Sequence, residues 1–574
     1  MKSSNYNVIS MKSIKSFLIA CLLLLAGNII AQPLSDAMKL LEMKQYKSAK
    51  SAFLHELKST NSASGWFYIG KTYAALGQSD SAKICFSNIE LADPKSSLSI
   101  VAQAISELAA GNSSQVISTL EKANKLAISK RDIITLIEIA LVRYQAGDTV
   151  RWIIPLTMAS GMDSKNPKPY IMAGKIYQML GERSNKHNYY GGLASGRFEQ
   201  ALYYDPDNLE ARTAQAESFF AGHNFEEAEA YLDIVLAKDS NYIPALKIYG
   251  DLAYTLGNYD KASLIYTRYM ALSEYSDKDL SRFITILYFN KEYSKANELI
   301  TSVLAKDPSN GVMLRLKGYT SFELGKYSEG FDAMKKFFDL RATADTNKII
   351  LSDYEYAGKL ASGIGNDSLS TIYFQKALDM DSTKTGLYED ISKSYEKRKQ
   401  YQKAIHYYFR YISARNGNVA SVTYFNIGKD FLLLADDAAN TADSMNRNLY
   451  LKRADTAFKK VIELSPNSHL GYQWHARVLA AFDPESVQGL AKTDYEKTLF
   501  ILEQKTDLSK YKSDLTEGFR YLAYYYYLQY ESAKLAKDNS AMAESKKLST
   551  SYWQKVLSLD PQNDAAKQAI NALK

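Results

Sequence analysis

Residues able to do chemistry are few in this chain, and their spacing suits none of the common reactions. The six histidines are His55, His187, His223, His406, His469 and His475. A zinc helix needs two of them on one face with a glutamate between, but no His-Glu-x-x-His run occurs, and His469 and His475 stand six apart around Trp474. Two cysteines, Cys21 and Cys85, cannot build a paired-cysteine zinc site. Gly191-Gly192-Leu193-Ala194-Ser195-Gly196 is glycine-rich, yet a phosphate loop or nucleophile elbow needs a strand in front of it, and no strand is predicted there. The expectation is no catalytic centre, no metal site and no cofactor: the chain is read as not an enzyme.

What remains is a question of elements. Apolar residues make up 46% and charged residues 23% of the 574, a balance that supplies a continuous core and excludes bulk disorder. The formal charge is +7, and setting aside Lys2, Lys12 and Lys15 of residues 1–31 leaves +4. Lysines are matched by acids along the helices and form no sustained basic run, which excludes nucleic acid as the partner.

The apolar residues repeat with a fixed period. Trp66, Ile69-Gly70, Tyr73, Gly77, Ala82, Phe86 and Pro94 recur in frame as Tyr170, Ala173-Gly174, Tyr177, Gly181, Ala194, Phe198, Ala201 and Asp205-Pro206. Further copies contain Tyr249-Gly250, Gly257, Tyr259, Ala262 and Tyr266; then Gly318, Gly325 and Tyr327; then Ala357-Gly358, Gly365, Phe374 and Ala377. Gly250 and Gly318 are 68 residues apart, twice a period of about 34. Small residues such as Gly70 and Ala82 fall where two antiparallel helices must approach closely, and large ones fill the space toward the next pair. Asp93-Pro94, Asp205-Pro206, Asp307-Pro308, Ser465-Pro466 and Asp560-Pro561 close second helices, because proline cannot continue the hydrogen-bond ladder.

This pattern resembles the tetratricopeptide repeat, W-x2-L-G-x2-Y, A-x3-F, then P. The resemblance implies an all-α, right-handed α-solenoid (superhelix) of about 14 antiparallel helix-turn-helix units over residues 32–562, with a capping helix at 563–574. It also implies a groove lined by first helices, in which other proteins lie as extended peptides or helices. In such repeats the residue after the first-helix glycine faces the groove. Here that residue is Lys71, Lys175, Lys359 and Lys429 in four copies, and Asp251 and Tyr319 in two others. Recurring lysine suggests acidic partner segments, with the alternative that lysine is simply a good exposed helix former.

Three hairpins are longer than the period, around Lys186–Gly196, Asp436–Asn448 and Glu531–Lys547. The last two read as extended helices or exposed turns, and the first as the most loop-like stretch. Its Tyr189 and Tyr190 carry the competing reading, a carbohydrate-binding or enzymatic protein using the insertion and groove tyrosines. The run Tyr521 and Tyr524–Tyr527 must turn at least one ring outward or fill a wide seam beside Trp553. The phrase Asp483-Pro484-Glu485 to Lys497 resembles repeat proteins of Bacteroidota envelopes.

The N-terminus addresses the protein. Met11-Lys12-Ser13-Ile14-Lys15 precedes an apolar run from Phe17 to Ala26, which reads as an export signal cleaved after Ala31, with Met11 as an alternative start. Leu18-Ile19-Ala20-Cys21 resembles a lipobox, but only about six apolar residues precede Cys21, so a lipid anchor there is the lesser alternative. No membrane span is expected once the signal is removed. The expectation is an exported, periplasmic or outer-membrane-associated non-catalytic scaffold that serves a secretion or surface-assembly machinery.

Overall fold

The structure is a computed structural model that describes residues 34–341 and 348–573. The described residues contain no strand; apart from one 3-10 turn at Leu508–Tyr511, every element is an α-helix. Helices follow one another as antiparallel pairs, from Leu34–Glu42 with Tyr46–Thr60 to Lys512–Ala536 with Asn539–Leu559, and a single helix, Asp564–Ala572, comes last. The chain divides into two compact units, residues 1–296 and 297–574.

The same local device recurs in several pairs. A Cβ placed on Gly70 would lie 2.4 Å from the Phe86 ring, and one on Gly174 would lie 2.4 Å from Phe198. Gly250 against Tyr266 and Gly358 against Phe374 repeat the arrangement at 2.4 and 2.5 Å. Glycine in a helix interior costs about 1 kcal/mol relative to alanine, and here it admits an aromatic ring from the second helix, whose burial outweighs that cost. Tyr266 and Phe198 are fully buried as a result. Second helices end where expected: Ala92, Tyr204 and Leu464 are their last residues, ahead of Asp93-Pro94, Asp205-Pro206 and Ser465-Pro466.

One expectation needs correction. The stretch Lys186–Gly196 is not a loop, because His187–Tyr204 is a single helix of 18 residues facing the 17-residue helix Lys168–Ser184. The inserted residues lengthen both helices at their shared turn. The glycines do not break the helix because a solvated helix tolerates them at a modest cost, and nothing lies within 4 Å of where their side chains would be. The other two insertions also extend helices, to Ser421–Asn440 with Ser444–Leu464 and to Lys512–Ala536 with Asn539–Leu559.

The tyrosine run mostly fills a seam. Tyr521 packs on Tyr495 at 4.8 Å and Tyr526 stacks on Tyr552 at 5.9 Å, while Tyr524 is 41% exposed. Tyr525 lies over Gly489, whose absent Cβ would stand 2.3 Å from the ring and whose φ of +68° suits glycine. Buried Asp483 accepts a hydrogen bond from the Gly489 N–H at 2.8 Å and so fixes the loop that carries that glycine.

Candidate functional site

First helices of successive hairpins touch one another, as Lys168–Ser184 touches Leu209–Ala221 in the first unit and Gly311–Glu323 touches Leu351–Gly363 in the second. Residues one place after the first-helix glycine therefore share a face with charges from the next hairpin. What stands opposite decides their chemistry.

In the first unit they are internally paired. The Lys71 ammonium donates to both Glu138 oxygens at 2.8 and 2.7 Å, and Glu138 is only 5% exposed. Lys175 pairs with Glu210. Asp251 accepts from the Tyr266 hydroxyl at 2.6 Å and lies 3.4 Å from the Lys247 ammonium and 3.5 Å from Arg282. Lys247 also bridges to Asp279 at 2.6 Å. Burial opposes ionisation of Asp279, yet Lys247 and the Ser276 bonds hold its carboxyl down at about 2. A free lysine stripe, as the sequence suggested, is not present at Lys71 and Lys175; acids two hairpins and one hairpin further along the chain neutralise them.

The second unit differs. Tyr319 is buried, stacks on Tyr356 at 4.1 Å and donates to Asp353 at 2.7 Å, a fully buried carboxylate that Arg315 also grips at 2.7 and 2.9 Å. Lys359 rests over the Tyr356 and Phe322 rings at 5.4 and 5.7 Å; among the described residues no carboxylate lies within 4.0 Å of its ammonium, although its charge reaches half-buried Asp390 of the next hairpin. Lys429, half-buried beside Asp430, likewise has no ion-pair partner at that distance among the described residues.

Sequence reasoning missed three residues at the same position. Lys393 follows Ser392, Arg477 follows Ala476 and Glu217 follows Ala216. A small residue other than glycine hides the frame. Arg477 grips Glu517 at 2.8 and 2.6 Å, and Lys393 pairs with Glu389 at 2.8 Å. A fourth omission is Asp430, two residues after Gly428, where Leu252 and Leu360 follow Gly250 and Gly358. It is fully buried and neither oxygen finds a donor. Burial and neighbouring Glu396 push its carboxyl up to about 8, so it holds a proton that it can donate to Glu396.

The remaining candidates have structural roles or lie elsewhere. Tyr189 is 65% exposed and meets Tyr190 edge to face at 76°, while Tyr190 stacks on Tyr177. The small residues Gly191, Gly192 and Ser195 border a cavity of about 870 Å³ that Lys44, Lys175 and Gln178 also line. His475 is a seam residue held between Asp494 and Asp455, the latter at 2.8 Å. Burial pushes the Cys85 thiol up to about 11, which keeps it unreactive. Ala31 and Cys21 lie outside the described residues. Among the described residues no three metal-ligating side chains converge, and no helix is long and apolar enough to cross a membrane.

The first unit also reaches back on itself. Glu274, in the turn after Tyr259–Leu272, accepts from the Lys47 and Ser48 amides at 2.7 and 2.9 Å, and the Gln45 amide donates to the Leu272 carbonyl at 2.8 Å. A carboxylate thus caps the positive end of helix Tyr46–Thr60 from more than two hundred residues away.

A tetratricopeptide repeat family model matches residues 193–243 and 213–277. Among solved structures, the C-terminal part of a TPR repeat-containing protein from Cytophaga hutchinsonii is 28% identical, over 50% of this chain and 99% of that one, with a TM-score of 0.40. A tetratricopeptide repeat protein from Parabacteroides merdae is 18% identical over 46% and 99%, with a TM-score of 0.30. YrrB, described as a TPR protein with an unusual peptide-binding site, is 14% identical over 36% and 95%, with a TM-score of 0.28. No curated protein matches the sequence. The recurring glycine–aromatic contact, the order of helical pairs among the described residues and the match over residues 193–277 agree that the chain carries tetratricopeptide repeats, a fold that serves in general as a scaffold for protein–protein interaction.

Proposed function

We propose that this protein is an exported, non-catalytic scaffold of the cell envelope that holds acidic segments of other proteins against the first-helix face of its second unit. One observation carries the reading: Lys359 and Lys429 keep the groove position but, among the described residues, form no ion pair within 4.0 Å, unlike Lys71 and Lys175. An ammonium over aromatic rings, as Lys359 is, is held in place while its donors stay available to a carboxylate. Tyr356 and Phe322 beside it supply apolar contact area. The N-terminal sequence, which reads as an export signal ending at Ala31, supports the envelope assignment, and service to a secretion or surface-assembly machinery is the role that fits such a scaffold.

The test is chemical crosslinking in cells followed by purification of the full chain. Wild-type protein is expected to bring down defined partners, and the Lys359→Ala, Lys429→Ala double variant to lose them while keeping its helical content. Recovery of free monomer alone, or an undiminished partner set in the double variant, refutes the proposal. N-terminal sequencing of the exported protein checks cleavage after Ala31.

A further inference from the structure

Most joints between hairpins are four residues long, as at 93–96, 205–208, 239–242 and 465–468, but the joint between Tyr401–Ala414 and Ser421–Asn440 has six, Arg415 to Ala420. Asn416 and Gly417 turn it through left-handed backbone, at φ of 52° and 80°. Beside this longer joint, the second helices Tyr401–Ala414 and Ser444–Leu464 leave between them a groove of about 820 Å³. Its floor is Tyr424, Ile427 and Phe431 of the first helix, and Phe409, 49% exposed, forms part of its wall. A volume of this size, apolar and rimmed by polar groups, is characteristic of binding sites rather than of ordinary packing faults.

The rim carries charge of one predominant sign. Lys459 is paired with Asp455 at 2.9 Å and Lys460 with Glu463 at 2.6 Å. Arg453 sits 5.6 Å over the Phe431 ring and, among the described residues, has no carboxylate within 4.0 Å, so it stands at the groove's edge as a cation without an ion pair there. The walls are helices, whose backbone N–H and C=O groups are already engaged in their own ladders. An extended peptide laid there would lose water from its main chain and find no backbone partner in exchange. A helix satisfies its own backbone and needs only side chains to enter.

We propose that this groove on the second-helix side of the second unit docks an amphipathic helix of a partner protein, with an apolar ridge against Ile427, Phe431 and Phe409 and a carboxylate on Arg453. The site is distinct from Lys359 and Lys429 and stands whether or not those lysines bind anything. The test uses a phage-displayed library of helical peptides, selected on the full chain and counter-selected on Thr456→Trp, which fills the groove from an exposed position. Enriched peptides are expected to carry apolar residues at i, i+3 or i+4, and i+7 with a flanking Asp or Glu. Their affinity is expected to fall about tenfold in Thr456→Trp and in Phe409→Glu, to fall about fivefold in Arg453→Ala, and to be unchanged in Lys359→Ala. Lack of enrichment overturns the proposal, as does binding that ignores both Thr456→Trp and Phe409→Glu. Acid-free peptides indifferent to Arg453→Ala overturn the assigned chemistry, and so does saturable palmitate binding, blocked by Thr456→Trp, in the absence of any peptide binder.

Discussion

The two units place the same motif position in different company. In the first, Lys71 and Lys175 meet Glu138 and Glu210 and become part of the framework. In the second, Lys359 rests on rings and Lys429 stands beside Asp430, and among the described residues neither forms an ion pair within 4.0 Å. A groove residue therefore cannot be judged from its own hairpin. Its availability is set by side chains one or two hairpins along, which is where a repeat array writes its specificity.

That contrast can be broken or sharpened by substitution, and the largest effect belongs to what the units share. Gly250→Val and Gly358→Val drive a side chain into Tyr266 and Phe374, and each is expected to cost about 3 kcal/mol. Urea unfolding of the full chain checks this; a marked difference between the two would mean the hairpins are not built alike. Lys71→Met leaves Glu138 almost buried and without its cation, at an expected cost of about 2 kcal/mol, whereas Lys359→Met changes stability by no more than ~0.5 kcal/mol. Equal costs would abolish the distinction on which the proposed binding face rests.

Asp430 gives a pH signature confined to the second unit. Its folded pKa lies above the unfolded value of 3.8, so the stability it contributes is complete below that value and is lost as pH rises toward about 8. Asp430→Asn is expected to remove this dependence and to stabilise helix Ser421–Asn440 at pH 8 by about 1 kcal/mol or more, read as slower amide exchange. Unaltered exchange between pH 5 and pH 8 in the wild type would contradict it. The smallest effect is that of Glu274→Gln, which weakens the cap on helix Tyr46–Thr60 by about 1 kcal/mol and should speed exchange of the Lys47 and Ser48 amides.

The fold was largely legible because its signal is repeated: one Gly70–Phe86 contact is ambiguous, but the same spacing at Gly174–Phe198 and Gly250–Tyr266 is not. The site was legible only in part. Position in the motif located Lys71, Lys175, Lys359 and Lys429, but the acids that neutralise the first two, Glu138 and Glu210, are 67 and 35 residues away and obey no local rule. Lys393, Arg477 and Glu217 escaped because serine or alanine precedes them where the clear copies have glycine. The helical Lys186–Gly196 was misread because glycine pairs signal turns in short segments, whereas here a long facing helix supports them.

The bond from Glu274 to the amides of residues 47 and 48 has a consequence for how the first unit comes apart. Repeat arrays ordinarily melt from their ends, since each hairpin leans only on its neighbours and fraying costs one interface at a time. Joining the first hairpin to the turn after the seventh removes one free end and substitutes a contact of very long sequence separation. The first unit then opens more nearly as a whole than hairpin by hairpin, and its assembly must await the arrival of Glu274, 226 residues after Ser48 in the first turn of the helix that it secures.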